Sequence, residues 1–393
     1  MDSAIRQSIL DRIDSLAGEL LSVSHAIHAH PELAFEERFA AGLLCEAVER
    51  HGLAARRGAY DLETAFEAEF AGGDGPTVAL LAEYDALPGI GHACGHNLIA
   101  TAALGAALGL QAVQGRLPGR VRLLGTPAEE KGGGKELMAR AGAFDGVDAA
   151  LMIHPAGVNL TAMPCICVAE VEVVYHGRAA HASAMPHRGI NALDGLLLAY
   201  QAISNLRQHI RDQERIHGIV TDGGRAPNIV PERAAGEFFV RAANERDLAA
   251  LKPRVQACFE AGAKGSGCEV EVRWADVDYL DLNTNLPLAR AFERHGTSLG
   301  REFLSPEHLG GAGSTDMGNV SYRVPSIHPM LACAPRNVVI HHPDFARYAG
   351  GESGDLAALD GAKALALTAA EFLLDPALQA EARKAFDVSR GLA

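Results

Sequence analysis

Apolar residues recur at helical spacing at the start of the chain (Ile5, Ile9, Ile13, Leu16, Leu20), which predicts an opening amphipathic helix. Short apolar runs then alternate with helical patterns. The run Thr77 to Ala82 reads as a buried strand ending at Asp85, Val121 to Leu124 as a second ending before Glu129, and Ala149 to Ile153 as a third ending at His154. A helix from about Asn97 to Val113 separates the first two. Strands alternating with helices imply a mostly parallel sheet, and polar residues just beyond its strand ends are where such sheets place their sites. From Val168 the pattern changes to strand Val168 to Tyr175, helix Ile190 to Gln208, strands near Ile216 to Thr221 and Glu237 to Arg241, helix Glu245 to Ala263 and strand Glu269 to Trp274. This βαββαβ order is the split βαβ plan of a small independent unit. A helix near Leu286 to Leu299, a strand at Ser326 to Cys333 and a last helix from Leu356 to Leu374 follow. The expected fold class is α/β, with a mostly parallel sheet built from residues 1–167 and 281–393 and an inserted α+β, ferredoxin-like domain over residues 168–280.

Length agrees, since 393 residues exceed one ordinary core and suggest two domains. A net charge of -14 with no basic run excludes a nucleic-acid partner and weakly favours cationic small molecules. No apolar stretch reaches the roughly 18 residues of a membrane helix; the longest, around Leu98 to Val113, is shorter and rich in Ala and Gly. Asp2, Arg6, Asp11, Arg12, Asp14 and Glu19 break up any signal-peptide apolar segment, so no membrane partner and a cytoplasmic location are expected. The seven scattered cysteines are an odd set for a disulfide framework, so any special cysteine is a ligand or a nucleophile.

Chemistry concentrates at the predicted strand ends. In Gly91-His92-Ala93-Cys94-Gly95-His96-Asn97, a thiol and an imidazole two residues apart on a glycine-rich turn can converge on a metal ion, whereas a helix would point them to different faces. The same run also fits a packed loop at a helix start with Asn97 as cap. Adjacent acids in Thr126-Pro127-Ala128-Glu129-Glu130 can divide labour, one binding metal and the other moving a proton. Elsewhere such a pair is usually a solvated surface pair; here it follows a buried strand and precedes Gly132-Gly133-Gly134. His154 ends the third strand at the same sheet edge, and His341 and His342 add imidazoles. Cys94, His96, Glu130, His154 and His341 suffice for two ions if one ligand bridges, and a metal-bound thiolate at Cys94 has lone pairs for both.

These residues carry a resemblance over nearly the whole chain. His28-Ala29-His30-Pro31-Glu32-Leu33, His92-Ala93-Cys94-Gly95-His96-Asn97, Pro127-Ala128-Glu129-Glu130 and Ala180-His181-Ala182-Ser183 resemble metallopeptidase family 20, the aminoacylases and carboxypeptidase-G-like enzymes. Within it the chain resembles the amidohydrolase branch whose bridging ligand is a cysteine. The resemblance implies a dinuclear metallopeptidase catalytic domain with an inserted lid and dimerisation domain. It implies Cys94, His96, Glu130, His154 and His341 as metal ligands, Glu129 as general base and Asp85 as the acid behind a ligand. In the inserted domain His181, within Gly177-Arg178-Ala179-Ala180-His181, matches a lid histidine that reaches the partner subunit's site, and Asn228 and Arg241 match residues that hold a substrate carboxylate or oxyanion. Two departures stand out: Asn97 replaces the usual Asp, and Ser314-Thr315-Asp316 replaces Ser-Glu-Asp. With Ala226-Pro227-Asn228-Ile229-Val230-Pro231 they look most like the β-alanyl-lysine and Xaa-Arg dipeptidase-like subgroup, whose substrates end in a basic residue.

The implied reaction is hydrolysis of a dipeptide or N-acyl amino acid in a homodimer, with two divalent ions. Zinc suits the sulfur and imidazole donors, and manganese or cobalt suits oxygen-rich positions. An aminobenzoyl-glutamate or other N-acyl amidohydrolase is the nearest alternative. A catalytically idle binding protein that retains the metal pocket is the alternative of another class, against which the retained Glu129 argues. His187, His328 and His342 have no assigned role.

Overall fold

The computed structural model describes residues 1–304 and 313–392, in two compact units: Met1–Pro164 with Leu282–Ala393, and Cys165–Asp281. The strands in chain order are β1 (Ala55–Arg57), β2 (Phe66–Ala71), β3 (Thr77–Glu83), β4 (Arg120–Thr126), β5 (Ala149–Leu151), β6 (His154–Ala156), β7 (Cys167–His176), β8 (Arg215–Asp222), β9 (Arg233–Ala242), β10 (Glu269–Trp274), β11 (Ser326–Ile327) and β12 (Met330–Ala332).

The larger unit holds a six-stranded sheet in the order β1-β2-β4-β3-β5-β11. β3 runs parallel to β4 and β5, and β11 parallel to β5, while β1 and β2 form an antiparallel edge. Central β3 is buried at every position, which is why it reads as an unbroken apolar run rather than an alternation. The His96–Gln111 helix is buried from His96 to Leu110 and packs against Glu352–Leu374. Its Ala/Gly composition is a packing device: a Cβ at Gly105 would stand 2.8 Å from Ala362 Cβ, and one at Gly109 2.8 Å from Ile13 Cγ1. Among the described residues no helix is long and apolar enough to cross a membrane.

The opening pattern folds as two helices, Ser3–Ser15 and Ala17–Ala29, which meet at Leu16. The expected strands ending at His154 and Cys333 are each split, so that β6 and β12 pair with each other in parallel rather than extending β5 and β11. His328-Pro329 fills the break between β11 and β12, where the proline lacks the N–H that a continuous ladder needs, whereas the break after β5 falls at Met152-Ile153 and Pro155 lies within β6 opposite Leu331. A helix at Pro376–Ser389, which periodicity did not separate from the tail, closes the chain.

In the smaller unit an antiparallel sheet in the order β10-β7-β9-β8 is covered by helices Ala192–Leu206 and Glu245–Ser266. Tyr175, Phe238 and Phe259 fill the space between them. The chain order is the βαββαβ order expected from the sequence. All seven cysteines are free thiols.

Candidate functional site

The site is assembled at the C-terminal ends of the parallel strands, from turns whose backbone is held in unusual conformations. Gly95 is left-handed (φ 80°) and caps the His96–Gln111 helix; a Cβ there would press on Pro155 Cγ at 2.9 Å. It lets Cys94 and His96 project together from a turn rather than from successive helical positions. After β4, Ala128 is itself left-handed (φ 61°), and Glu37 Oε1 accepts its N–H at 2.8 Å. Gly134 cannot carry a side chain, since its Cβ would lie 1.8 Å from the Pro127 carbonyl oxygen. Between these two points the chain presents Glu129 and Glu130. His341, also left-handed (φ 63°), donates its N–H to the Ala93 carbonyl at 2.9 Å and so is tied to the Cys94 turn.

Five of the predicted residues come together around one thiol. Cys94, His96 and His154 offer ligand atoms within 4.8 Å of one another, and so do Cys94, Glu130 and His341. Glu129 joins His96 and Glu130 in a third such group. The imidazoles are oriented for ligation: His96 Nδ1 bonds Asp85 Oδ1 at 2.9 Å and His154 Nδ1 bonds the Pro155 carbonyl at 2.7 Å, which turns both Nε2 atoms inward. Asp85 serves twice, since its Oδ2 accepts the Glu130 N–H at 2.8 Å. The first group is buried, whereas His341 is half-exposed, so the second group is the one open to solvent.

Divalent cations fit these residues. His96 Nε2 and Glu130 Oε1 are buried and lack a hydrogen-bond partner among the described residues, so each cysteine-centred group holds one buried atom with a lone pair that a cation could take up. Burial pushes the Cys94 thiol well up, and a divalent cation is the charge that would reverse this. Burial also pushes the Glu129 carboxyl well up, reinforced by Glu83 and Glu130. Burial works the same way on Glu130, but its bond to His341 and the charge of His96 outweigh it and hold Glu130 below the ordinary range. Adjacent glutamates therefore sit in opposite electrostatic settings.

His181, Asn228 and Arg241 belong to the smaller unit. His181 pairs with Ile229 across a two-residue bridge, Ala182 donates its N–H to the Asn228 carbonyl at 3.0 Å, and both side chains are exposed. His181 Nδ1 accepts from Ala184 N at 3.2 Å, which leaves Nε2 to carry the ring hydrogen in the neutral form. Arg241 lies elsewhere. The His181 turn adjoins the Arg233 end of β9, and Arg241 lies at the other end, roughly 26 Å away at about 3.3 Å per residue. There its Nε donates to His217 Nε2 at 3.3 Å.

Three buried residues have no site role in the reading of the sequence: Glu83 at the end of β3, Lys135 and Asp316, the last two joined by a 2.6 Å ion pair beside Glu129. A lone acid closing an apolar strand was the available signal for Glu83. His328 is fully buried, edge-on to His154 with ring centroids 5.3 Å apart. Asn97 donates to Ser24 Oγ and the Ala349 carbonyl, which ties the central helix to its neighbours.

The profile of peptidase family M20/M25/M40 matches residues 79–349. The Xaa-Arg dipeptidase of Mus musculus is 41% identical over 397 aligned residues, covering 97% of this chain and 92% of its own. A p-aminobenzoyl-glutamate hydrolase subunit of Escherichia coli (strain K12) is 35% identical, covering 69% of this chain and 60% of its own. Among solved structures, the Bacillus subtilis YXEP protein, a dinuclear metal binding peptidase from the M20 family, has the same fold, with a TM-score of 0.67 at 23% identity over 91% of this chain and 99% of that one. The chain belongs to peptidase family M20/M25/M40 and is a metal-dependent hydrolase.

Proposed function

We propose that the chain hydrolyses the amide bond of a dipeptide or N-acyl amino acid, with Cys94, His96, Glu130, His154 and His341 holding two divalent ions and Cys94 bridging them. The observation that supports this reading is that one thiol belongs to two three-residue groups, which between them contain all five proposed ligands. Three protein ligands with room for a further one is the pattern of catalytic zinc, and the sulfur and imidazole donors favour zinc over manganese or cobalt.

When bound, the ions supply a Lewis acid that polarises the scissile carbonyl and acidifies the attacking water. Glu129 accepts the proton from that water as the C–O bond forms, and delivers it to the amide nitrogen as the C–N bond breaks. Its raised proton affinity suits both transfers. Asp85 fixes the His96 ring and the Glu130 backbone together. His181 Nε2–H donates to the oxyanion, Asn228 assists it, and Arg241 holds the substrate carboxylate.

The smaller unit acts as lid and dimerisation surface in this reading. Leu197 and Leu198 on the Ala192–Leu206 helix and Ile219 and Val220 on edge strand β8 are exposed and apolar, a surface that a second copy would cover. The separation of His181 from Arg241 also supports a dimer. Were both to contact one substrate of dipeptide size, they would come from two chains, with His181 and Asn228 serving the partner's site.

Cys94→Ala is expected to lose at least one ion per chain after dialysis, measured by elemental analysis; unchanged stoichiometry would remove the bridge. The relative named for Xaa-Arg cleavage and the acidic net charge together favour a basic residue on the amine side. β-Alanyl-lysine or Ala-Arg is expected to exceed acyl-glutamate and acyl-alanine about tenfold or more in kcat/KM. A clear preference for the glutamate would instead favour the aminobenzoyl-glutamate type of activity, for which the Escherichia coli relative is named.

A further inference from the structure

Beside Glu129 lies a charge cluster that the proposed ligands leave aside. Lys135, fully buried on the first turn of the Gly134–Arg140 helix, donates from Nζ to Asp316 Oδ1 at 2.6 Å and from its backbone N–H to Asp316 Oδ2 at 2.8 Å, and its ammonium also contacts Glu83. Glu83 and Asp316 are buried as well. The three anchors come from separate elements: the end of β3, the residue before the Met317–Ser321 helix, and the turn that follows the two glutamates. Glu83, Glu129 and Asp316 each present an oxygen within 4.8 Å of the other two.

Like the cysteine-centred groups it gathers three potential ligand atoms, but here the chain carries its own cation. Glu129 therefore belongs to two groups, one with His96 and Glu130 and one with Glu83 and Asp316, the two carboxylates that bind Lys135. A carboxylate beside divalent ions tends to bind one, and once bound it is a poor proton carrier. Glu129 differs from Glu130 in its nearness to a fixed ammonium, since after Asp316 and Glu83 its charge is the next to stabilise Lys135. We propose that Lys135, clamped by Glu83 and Asp316, is a positioning residue that holds the Glu129 carboxylate out of metal coordination and so keeps it available to carry the proton. The inference rests on Glu129 being that proton carrier.

The test uses the full-length protein as Lys135→Met and, because an unbalanced buried charge can prevent folding, as the charge-balanced Lys135→Met/Asp316→Asn. In the folded variant kcat is expected to fall about 100-fold or more with KM within about threefold, and Lys135→Arg to recover part of the loss. The ion count is expected to stay at or above that of the wild type. The visible spectrum of the cobalt-loaded variant is expected to change as Glu129 becomes a ligand, and adding Glu129→Gln is expected to abolish that change. A kcat within about threefold of wild type, a loss of activity that tracks loss of ions, an unaltered cobalt spectrum, or failure of both variants to fold overturns the proposal. If Glu129→Gln alone stays active, the underlying assignment of Glu129 fails; if it is inactive while the Lys135 variants are active, only the role of Lys135 fails.

Discussion

Glu129→Gln is expected to keep its ions and lose about 10³- to 10⁴-fold in kcat, whereas Glu130→Gln is expected to lose metal. The two residues are neighbours of the same chemistry, so the difference must come from their surroundings. Glu130 Oε2 lies 3.4 Å from His341 Nε2, within the half-exposed ligand group that also contains Cys94. Glu129 lies toward Glu83, Asp316 and the buried Lys135, and its proton affinity is raised where that of Glu130 is lowered. Gln at position 129 preserves shape and hydrogen bonding but cannot take a proton from water. Gln at position 130 withdraws an anionic ligand. Metal analysis with steady-state kinetics on both variants separates these outcomes; matching behaviour would contradict the division of roles.

Mixing two inactive proteins is expected to restore activity. His181→Ala and Glu129→Gln homodimers are each expected to be nearly inactive, the first by about 10²-fold or more through loss of an oxyanion donor. A heterodimer of the two contains one composite site with an intact Glu129 from one chain and an intact His181 from the other. Purified through two different tags, it is expected to recover up to about half of wild-type activity, because one site in two is whole. His181 lies in a turn that adjoins the Arg233 end of β9 while Arg241 lies at the other end of that strand, roughly 26 Å along it, which gives this expectation its physical basis. A heterodimer as inactive as its parents, beside an active wild-type control prepared in the same way, would show that His181 does not act across the interface.

What could be read from the sequence follows the range of the interactions concerned. β3, β4 and the helix between them were legible because burial on both faces leaves an unbroken apolar run and a helix without a polar side. Cys94, His96, Glu129 and Glu130 were legible because each pair lies on one turn with glycine close by. The short antiparallel edge β1 and β2 was not recognised, since three- and six-residue strands give little alternation to read. The breaks after Leu151 and Ile327 are not legible locally: a proline marks only the second, and the pairing of β6 with β12 is a contact between distant parts of the chain. Lys135 carried no local sign, and Asp316 was visible only as the end of the Ser314-Thr315-Asp316 run, without a role. They are 181 residues apart in sequence, and only the folded chain shows that a lysine after a glycine run closes a buried carboxylate cluster beside Glu129. Arg241 had a family counterpart, but its position at the far end of β9 from His181 emerges only from the strand register.

X-ray absorption at the zinc edge tests the central claim, a thiolate shared by two ions, most directly. Cys94 is the one cysteine among the five proposed ligands, and a zinc–sulfur bond has a distinctive length of about 2.3 Å. In protein loaded with two zinc ions per chain, a bridging Cys94 gives every zinc a sulfur neighbour, so the expected average is about one sulfur per zinc. An average of about half a sulfur per zinc, or tight binding of only a single ion, would contradict the bridged two-ion site.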